Sequence, residues 1–109
     1  MIQRLFVYGS LRPGQSNEHV LKAIGGTWQE ASVRGHLKQV VEASGVYPAI
    51  VLDDAAPVVP GYIFHSDHLN AHWDDLDAFE GDSYKRILVM VQTHDHEAVE
   101  AYIYALREA

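Results

Sequence analysis

The residues of this sequence that could do chemistry are one carboxylate on an apolar stripe, a glycine turn after an apolar run, and seven histidines. Glu80 lies four, seven and eleven residues after Leu76, Trp73 and Leu69, so a helix that persists to it carries the carboxylate on their apolar face. Burial disfavours the charged form and raises the pKa. The result is a carboxyl able to accept and then donate a proton near neutrality. Periodicity alone favours a plainer alternative, in which the helix stops at Phe79 and Glu80-Gly81-Asp82 is a solvated turn, because helix ends are the least determined part of such a pattern.

Gly9-Ser10-Leu11-Arg12-Pro13-Gly14-Gln15-Ser16 has the glycine spacing of a phosphate-binding loop, but Gln15 stands where that motif needs lysine. Nucleotide hydrolysis is therefore disfavoured. Backbone N–H groups at a glycine turn ahead of a helix still form a concavity suited to a carboxylate or an oxyanion. The alternative is that Gly9 and Gly14 only permit a tight turn. His65, His68 and His72 have helical spacing, and His94 and His96 share one face of a short turn, yet no carboxylate accompanies either set in a ligand pattern, so surface histidines are the simpler reading. Ser10 lacks the surroundings of a nucleophile elbow. Tyr62, Tyr102 and Tyr104 read as core aromatics with hydroxyls at the rim, and Tyr84-Lys85-Arg86 as a strand start beside the same cleft.

The elements that must position these groups are short. Arg4-Leu5-Phe6-Val7-Tyr8 predicts an opening strand buried on both faces. Asn17 is a candidate N-cap for a two-turn helix that stops at Gly25. Trp28, Ala31 and Val33 are spaced like strand positions, and Gly35 suggests a bulge or tight bend. Pro48–Leu52 and Val58–His65 read as strands, the second with Pro60-Gly61 at an edge or bulge. Ser66-Asp67 caps a helix from about Asp67 to Phe79, with Asp74, Asp75 and Asp77 pointing away from its apolar stripe. Tyr84–Gln92 and Val99–Leu106 close the chain as strands. About six strands and two short flanking helices predict an α+β domain over 1–109, built on a small mixed, closed or nearly closed β-barrel.

The 109 residues carry 15 acidic and 8 basic side chains, a formal charge of -7, and no cysteine. An acidic chain is a poor partner for nucleic acid or an anionic membrane surface. The missing cysteine rules out disulfides, a thiolate nucleophile and thiolate-bound metal, and fits a cytoplasmic protein. No apolar run reaches the length of a spanning helix, and Met1 leads directly into a strand-like segment rather than a signal peptide.

Two segments taken together resemble the γ-glutamylcyclotransferase-like superfamily. They are Tyr8-Gly9-Ser10-Leu11 with Gly14 and Asn17, and Leu76-Asp77-Ala78-Phe79-Glu80-Gly81 with Tyr84-Lys85-Arg86. Tyr47-Pro48-Ala49 and Val59-Pro60-Gly61-Tyr62-Ile63-Phe64 are similar to its short AIG2-like branch, which includes γ-glutamylamine cyclotransferase. The resemblance implies a small β-barrel whose cavity is floored by the Tyr8–Leu11 loop and faces one glutamate, Glu80. It implies an enzyme that cyclises the γ-glutamyl group of a small amine or peptide to 5-oxoproline, with Glu80 as general acid and base. Tyr8, Gly9, Ser10, Leu11 and Tyr84 would bind the substrate, and no metal, nucleotide or redox cofactor is needed. The identity of the leaving group and the oligomeric state stay open. So does a different class, a binding module that holds a small carboxylate ligand in the same cavity without turnover.

Overall fold

In the computed structural model, which describes residues 2–107, the chain runs β1 (Arg4–Val7), α1 (Glu18–Ile24), β2 (Thr27–Glu42), β3 (Gly45–Leu52), β4 (Val58–His65), α2 (Trp73–Glu80), β5 (Tyr84–Thr93) and β6 (Ala98–Leu106). The expectation for Met1 lies outside the described residues.

Four residues suffice for β1 because both of its faces are apolar. Leu5 and Val7 pack with Leu21 of α1 and with Leu69, Trp73 and Leu76 in and before α2. Phe6 and Tyr8, of opposite parity, join Ile50, Ile63, Val91 and Ile103, a cluster drawn from the strands and the residue that follows β1, with no helix contributing. One core thus lies between sheet and helices, and the other inside the curve of the sheet.

Antiparallel ladders join β1 to β4, β4 to β2, β2 to β5 and β5 to β6. Parallel pairing of Leu5 with Tyr102 and Phe6 with Ile103 then returns to β1. The six strands form one mixed sheet whose pairing closes into a ring, with two helices flanking it. It is not a regular barrel, since β3 pairs along the second half of β2 and meets β6 only through Ile50 and Ala105. No helix among the described residues is long and apolar enough to cross a membrane.

Five local expectations are corrected. The bulge expected at Gly35 is instead the point where a single sixteen-residue β2 changes partner, from Val58 opposite Arg34 to Leu52 opposite Gly35. β4 is an interior strand, not an edge; Pro60 is tolerated because the ladder to β1 ends at Tyr62. The long helix expected from Asp67 is a single 3-10 turn at Leu69–Ala71 followed by α2, with the break at His72. Ser66 caps neither segment: its hydroxyl accepts from the His68 amide and donates to the Gly25 carbonyl ahead of the turn, and the N-cap positions are taken by His68 and His72 without a side-chain cap. Asn17 stands at the start of α1 but makes no side-chain cap there.

Candidate active site

α2 carries Glu80 as its last residue, so the helix persists to the carboxylate and the solvated-turn alternative does not hold. Gly81 ends it with φ of 84°, a left-handed conformation that side chains resist, and its amide donates to the Asp77 carbonyl at 3.1 Å. Two apolar anchors, Trp73 and Leu76, are buried beneath the helix. The Trp73 ring meets Tyr102 edge-on at 5.0 Å, and the Arg86 guanidinium sits 4.5 Å from the Trp73 centroid and 4.8 Å from that of Tyr102.

Arg86 also donates to both carboxylate oxygens of Asp77, at 2.9 and 3.3 Å, while the Tyr104 hydroxyl donates to Asp77 Oδ1 at 2.7 Å. Asp77 therefore does not point away with Asp74 and Asp75; it ties α2 to β5 and β6. Partial burial alone would raise the Asp77 carboxyl, but the Arg86 and Tyr104 hydrogen bonds outweigh it and hold the group below its usual range. Asp77→Ala strips the partners from a half-buried guanidinium and a buried phenol. The expected loss is about 1–2 kcal/mol, discounted for the water that reaches the pair, and Asp77→Asn recovers part of it, as read from urea-unfolding midpoints.

Glu80 opens onto a cavity of about 310 Å³, a volume suited to a small ligand. Tyr8, Gly9, Ser10, Leu11 and Tyr84 line it too, so the structure brings together every site residue expected from the sequence. Glu80 is half-buried and, among the described residues, accepts no hydrogen bond from a side chain. Desolvation, followed by the nearby charge of Glu42, raises its carboxyl from 4.5 to about 7.

The opposite wall is the turn after β1. Gly9 accepts both the Arg12 amide at 3.1 Å and Arg12 Nε at 2.9 Å, while Asn17 holds Ser10 through N–H to carbonyl (2.9 Å) and Nδ2 to Oγ (2.8 Å). These bonds fix the turn by its carbonyls and side chains. Among the described residues, the amides of Gly9, Ser10 and Leu11 donate to no loop, turn or side-chain acceptor. They remain a row of donors at the cavity wall.

The tyrosine hydroxyls are committed to the scaffold. Tyr8 OH donates to the Tyr104 carbonyl at 2.6 Å and accepts from the Ile50 amide at 3.0 Å, bridging β6 and β3 where their own ladder is a single pair. Tyr84 OH donates to the Pro48 carbonyl at 2.6 Å. Burial first, with Glu80 adding to it, pushes both phenols upward, Tyr84 to about 12, so both stay protonated donors. Of the Tyr84-Lys85-Arg86 run, only Tyr84 reaches the cavity; Lys85 is exposed and Arg86 is spent on Asp77.

Glu42, Tyr47, Asn17 and Tyr104 also line the cavity and were not expected there from the sequence. For Asn17 the signal was its place at a helix start after the glycine turn. For Glu42 no local signal exists. His65 bonds Gln29 and His72 approaches Asp75, and among the described residues no group of three His, Asp or Glu stands close enough to hold a metal ion.

The family described as γ-glutamyl cyclotransferase, AIG2-like, matches residues 5–109. Among solved structures, the chain is similar to YkqA from Bacillus subtilis, at 30% identity and a TM-score of 0.71 over 98% of this chain and 36% of that one. It is also similar to a protein from Arabidopsis thaliana solved in solution, at 26% identity and a TM-score of 0.69 over 95% and 61% of the two chains. A structure named as a γ-glutamyl cyclotransferase, 18% identical, shares the fold, with a TM-score of 0.72 over 96% of this chain and 66% of that one. The chain thus spans little more than a third of the Bacillus protein and less than two thirds of the Arabidopsis one. No curated protein sequence matches it significantly. With the family match running from the first strand to the end of the chain, and with the same fold in its structural neighbours, this chain belongs to the γ-glutamyl cyclotransferase, AIG2-like family.

Proposed function

We propose that the cavity receives the γ-glutamyl group of a small amide or peptide and cyclises it to 5-oxoproline, with Glu80 moving the proton. One observation carries this reading: a half-buried carboxyl that, among the described residues, accepts from no side chain shares a small cavity with three backbone amides that donate to no loop, turn or side-chain acceptor, and burial raises that carboxyl to about 7.

The chemistry needs little else. The substrate's α-ammonium gives a proton to the Glu80 carboxylate, and the freed amine attacks its own γ-carbonyl carbon to form the ring C–N bond. The original C–N bond breaks as Glu80 returns the proton to the departing nitrogen, and the second proton shed by the ring nitrogen passes to the freed amine, which leaves as an ammonium while the lactam keeps one N–H. Atoms and charge balance without a co-reactant. Holding the chain folded back on itself supplies the proximity of an intramolecular reaction, and the Gly9–Leu11 amides would take the α-carboxylate or the developing oxyanion. Tyr8 and Tyr84 would act as walls, since their hydroxyls are already engaged.

The Glu80 carboxyl must start ionised. kcat/KM is therefore expected to fall roughly tenfold per pH step below about 7, with an acid limb near that value. An ordinary exposed glutamate would place the limb near 4.5, so a profile flat between pH 5 and 8 would mean that no carboxyl titrating near 7 takes part in the proton transfer. The direct test is a screen of purified protein against γ-glutamyl amines and dipeptides, reading 5-oxoproline release. Binding of such compounds without release would replace turnover by simple ligand capture.

A further inference from the structure

We infer that Glu42 selects the leaving group, and that the preferred substrates carry a positive charge, an ammonium or guanidinium, on the amine that departs. This rests on the cyclisation reading above and assigns the part of the cavity which that reading leaves unused.

Charge accounting is the core of the argument. Two carboxylates, Glu80 and Glu42, line the cavity, and among the described residues no lysine, arginine or histidine does. A γ-glutamyl group brings one ammonium and one carboxylate. Its ammonium is matched by Glu80 and its carboxylate by the Gly9–Leu11 amides. Glu42 is left over, and its complement has to come from the other side of the scissile bond.

Its position agrees. Glu42 is the last residue of β2 and pairs with Gly45 across the hairpin turn to β3, so it is exposed to solvent while lining the cavity together with Ser44 and Tyr47. The hairpin forms a rim. A substrate whose γ-carbonyl lies at Glu80 can extend its leaving group toward that rim. The negative charge of Glu42 is felt inside the cavity, where it raises both the Glu80 carboxyl and the Tyr84 phenol. No cation among the lining residues neutralises it, and no hydrogen bond to its side chain is made among the described residues.

The test uses three γ-glutamyl amides of matched length, with butylamine, 1,4-diaminobutane or 4-aminobutyrate as the leaving amine, so that the far end is neutral, cationic or anionic. The wild type is expected to prefer the cationic over the neutral amide by about 2–5-fold in kcat/KM, mostly through KM, and to disfavour the anionic one by a similar factor, the range for an exposed charge pair. Glu42→Gln should bring the three toward equality, and Glu42→Lys should invert the order. Equal turnover of all three amides by the wild type, or an unchanged preference in both variants, overturns the charge selection and leaves the cyclisation reading standing. Release of 5-oxoproline from none of the three, nor from any γ-glutamyl peptide in the screen, overturns both.

Discussion

Glu80→Gln is expected to reduce 5-oxoproline release by about 10²–10⁴-fold while leaving the folded state intact, because an amide neither takes nor gives the proton. The fold should tolerate the change: glutamine has the same shape, and no side chain donates to the Glu80 carboxyl among the described residues. Stability should in fact rise at alkaline pH. The folded-state carboxyl titrates near 7, above its ordinary 4.5, so the folded protein holds this proton more tightly than the unfolded chain. Its contribution is fully present below pH 4.5 and is lost as pH rises through about 7. A displacement of that size corresponds to roughly 3 kcal/mol at most, and water reaching the half-exposed group reduces it, so about 1–2 kcal/mol is the expected gain of Glu80→Gln at pH 8. Near pH 4 the two proteins should melt together. A variant that turns over at the wild-type rate sinks the mechanism; one that is destabilised at pH 8 removes the case for a desolvated carboxylate.

That pairing of lost activity with gained stability follows from where α2 ends. The charged form of Glu80 is disfavoured by burial, and its place at the C-terminal end of a helix acts in the same direction. The clamp of Asp77, Arg86, Tyr104 and Trp73 holds the helix in spite of that cost. The scaffold and the reactive group are one turn apart on the same helix, Asp77 facing the sheet and Glu80 the cavity.

What was legible in the sequence was local. β1 and β5 are built on unbroken apolar runs, from Leu5 to Tyr8 and from Ile87 to Val91, α1 and its glycine stop are signalled within ten residues, and Glu80 is marked as unusual by its spacing from Leu76, Trp73 and Leu69. What was hidden depended on distant partners. The second half of β2, from Lys38 to Glu42, alternates poorly because the hairpin it forms with β3 stands partly in solvent, with Leu37, Val41 and Val46 exposed. Glu42 becomes a cavity residue only because that hairpin is brought beside the turn after β1, and no spacing within β2 announces it. Asp77 looked like one more solvated acid, since its partners Arg86 and Tyr104 are 9 and 27 residues away. The break at His72 was masked because Leu69, Trp73 and Leu76 keep the same face through a 3-10 turn and a helix alike.

The largest loss of stability is expected at Gly61, where the sequence suggested only an edge or a bulge. Gly61 is buried in β4, opposite Ala31 of β2, at the point where β1 leaves the ladder. A Cβ there would lie 2.2 Å from the Val7 carbonyl oxygen and 2.6 Å from the Phe6 ring. Neither neighbour can give way cheaply. The carbonyl is backbone of a strand held to β4 through Val7 itself and to β6 through Leu5 and Phe6, and Phe6 is fully buried in the core formed by the strands. Gly61→Ala should therefore cost at least about 3 kcal/mol, well beyond a usual overpacking penalty, which for a domain of this length lowers Tm by more than about 10 °C. Gly14→Ala serves as the comparison: it meets no atom within 4 Å and bears only the strain of φ at 80°, so a loss of about 1 kcal/mol is expected. Any Gly61→Ala protein that folds should also lose activity, because relief of the clash displaces Val7, and Val7 leads directly into Tyr8 and the Gly9–Leu11 amides. A Tm within about 2 °C of the wild type would mean that β1 and β4 do not approach as closely as the clash requires, and the rigid placement of the amide row against Glu80 would go with it.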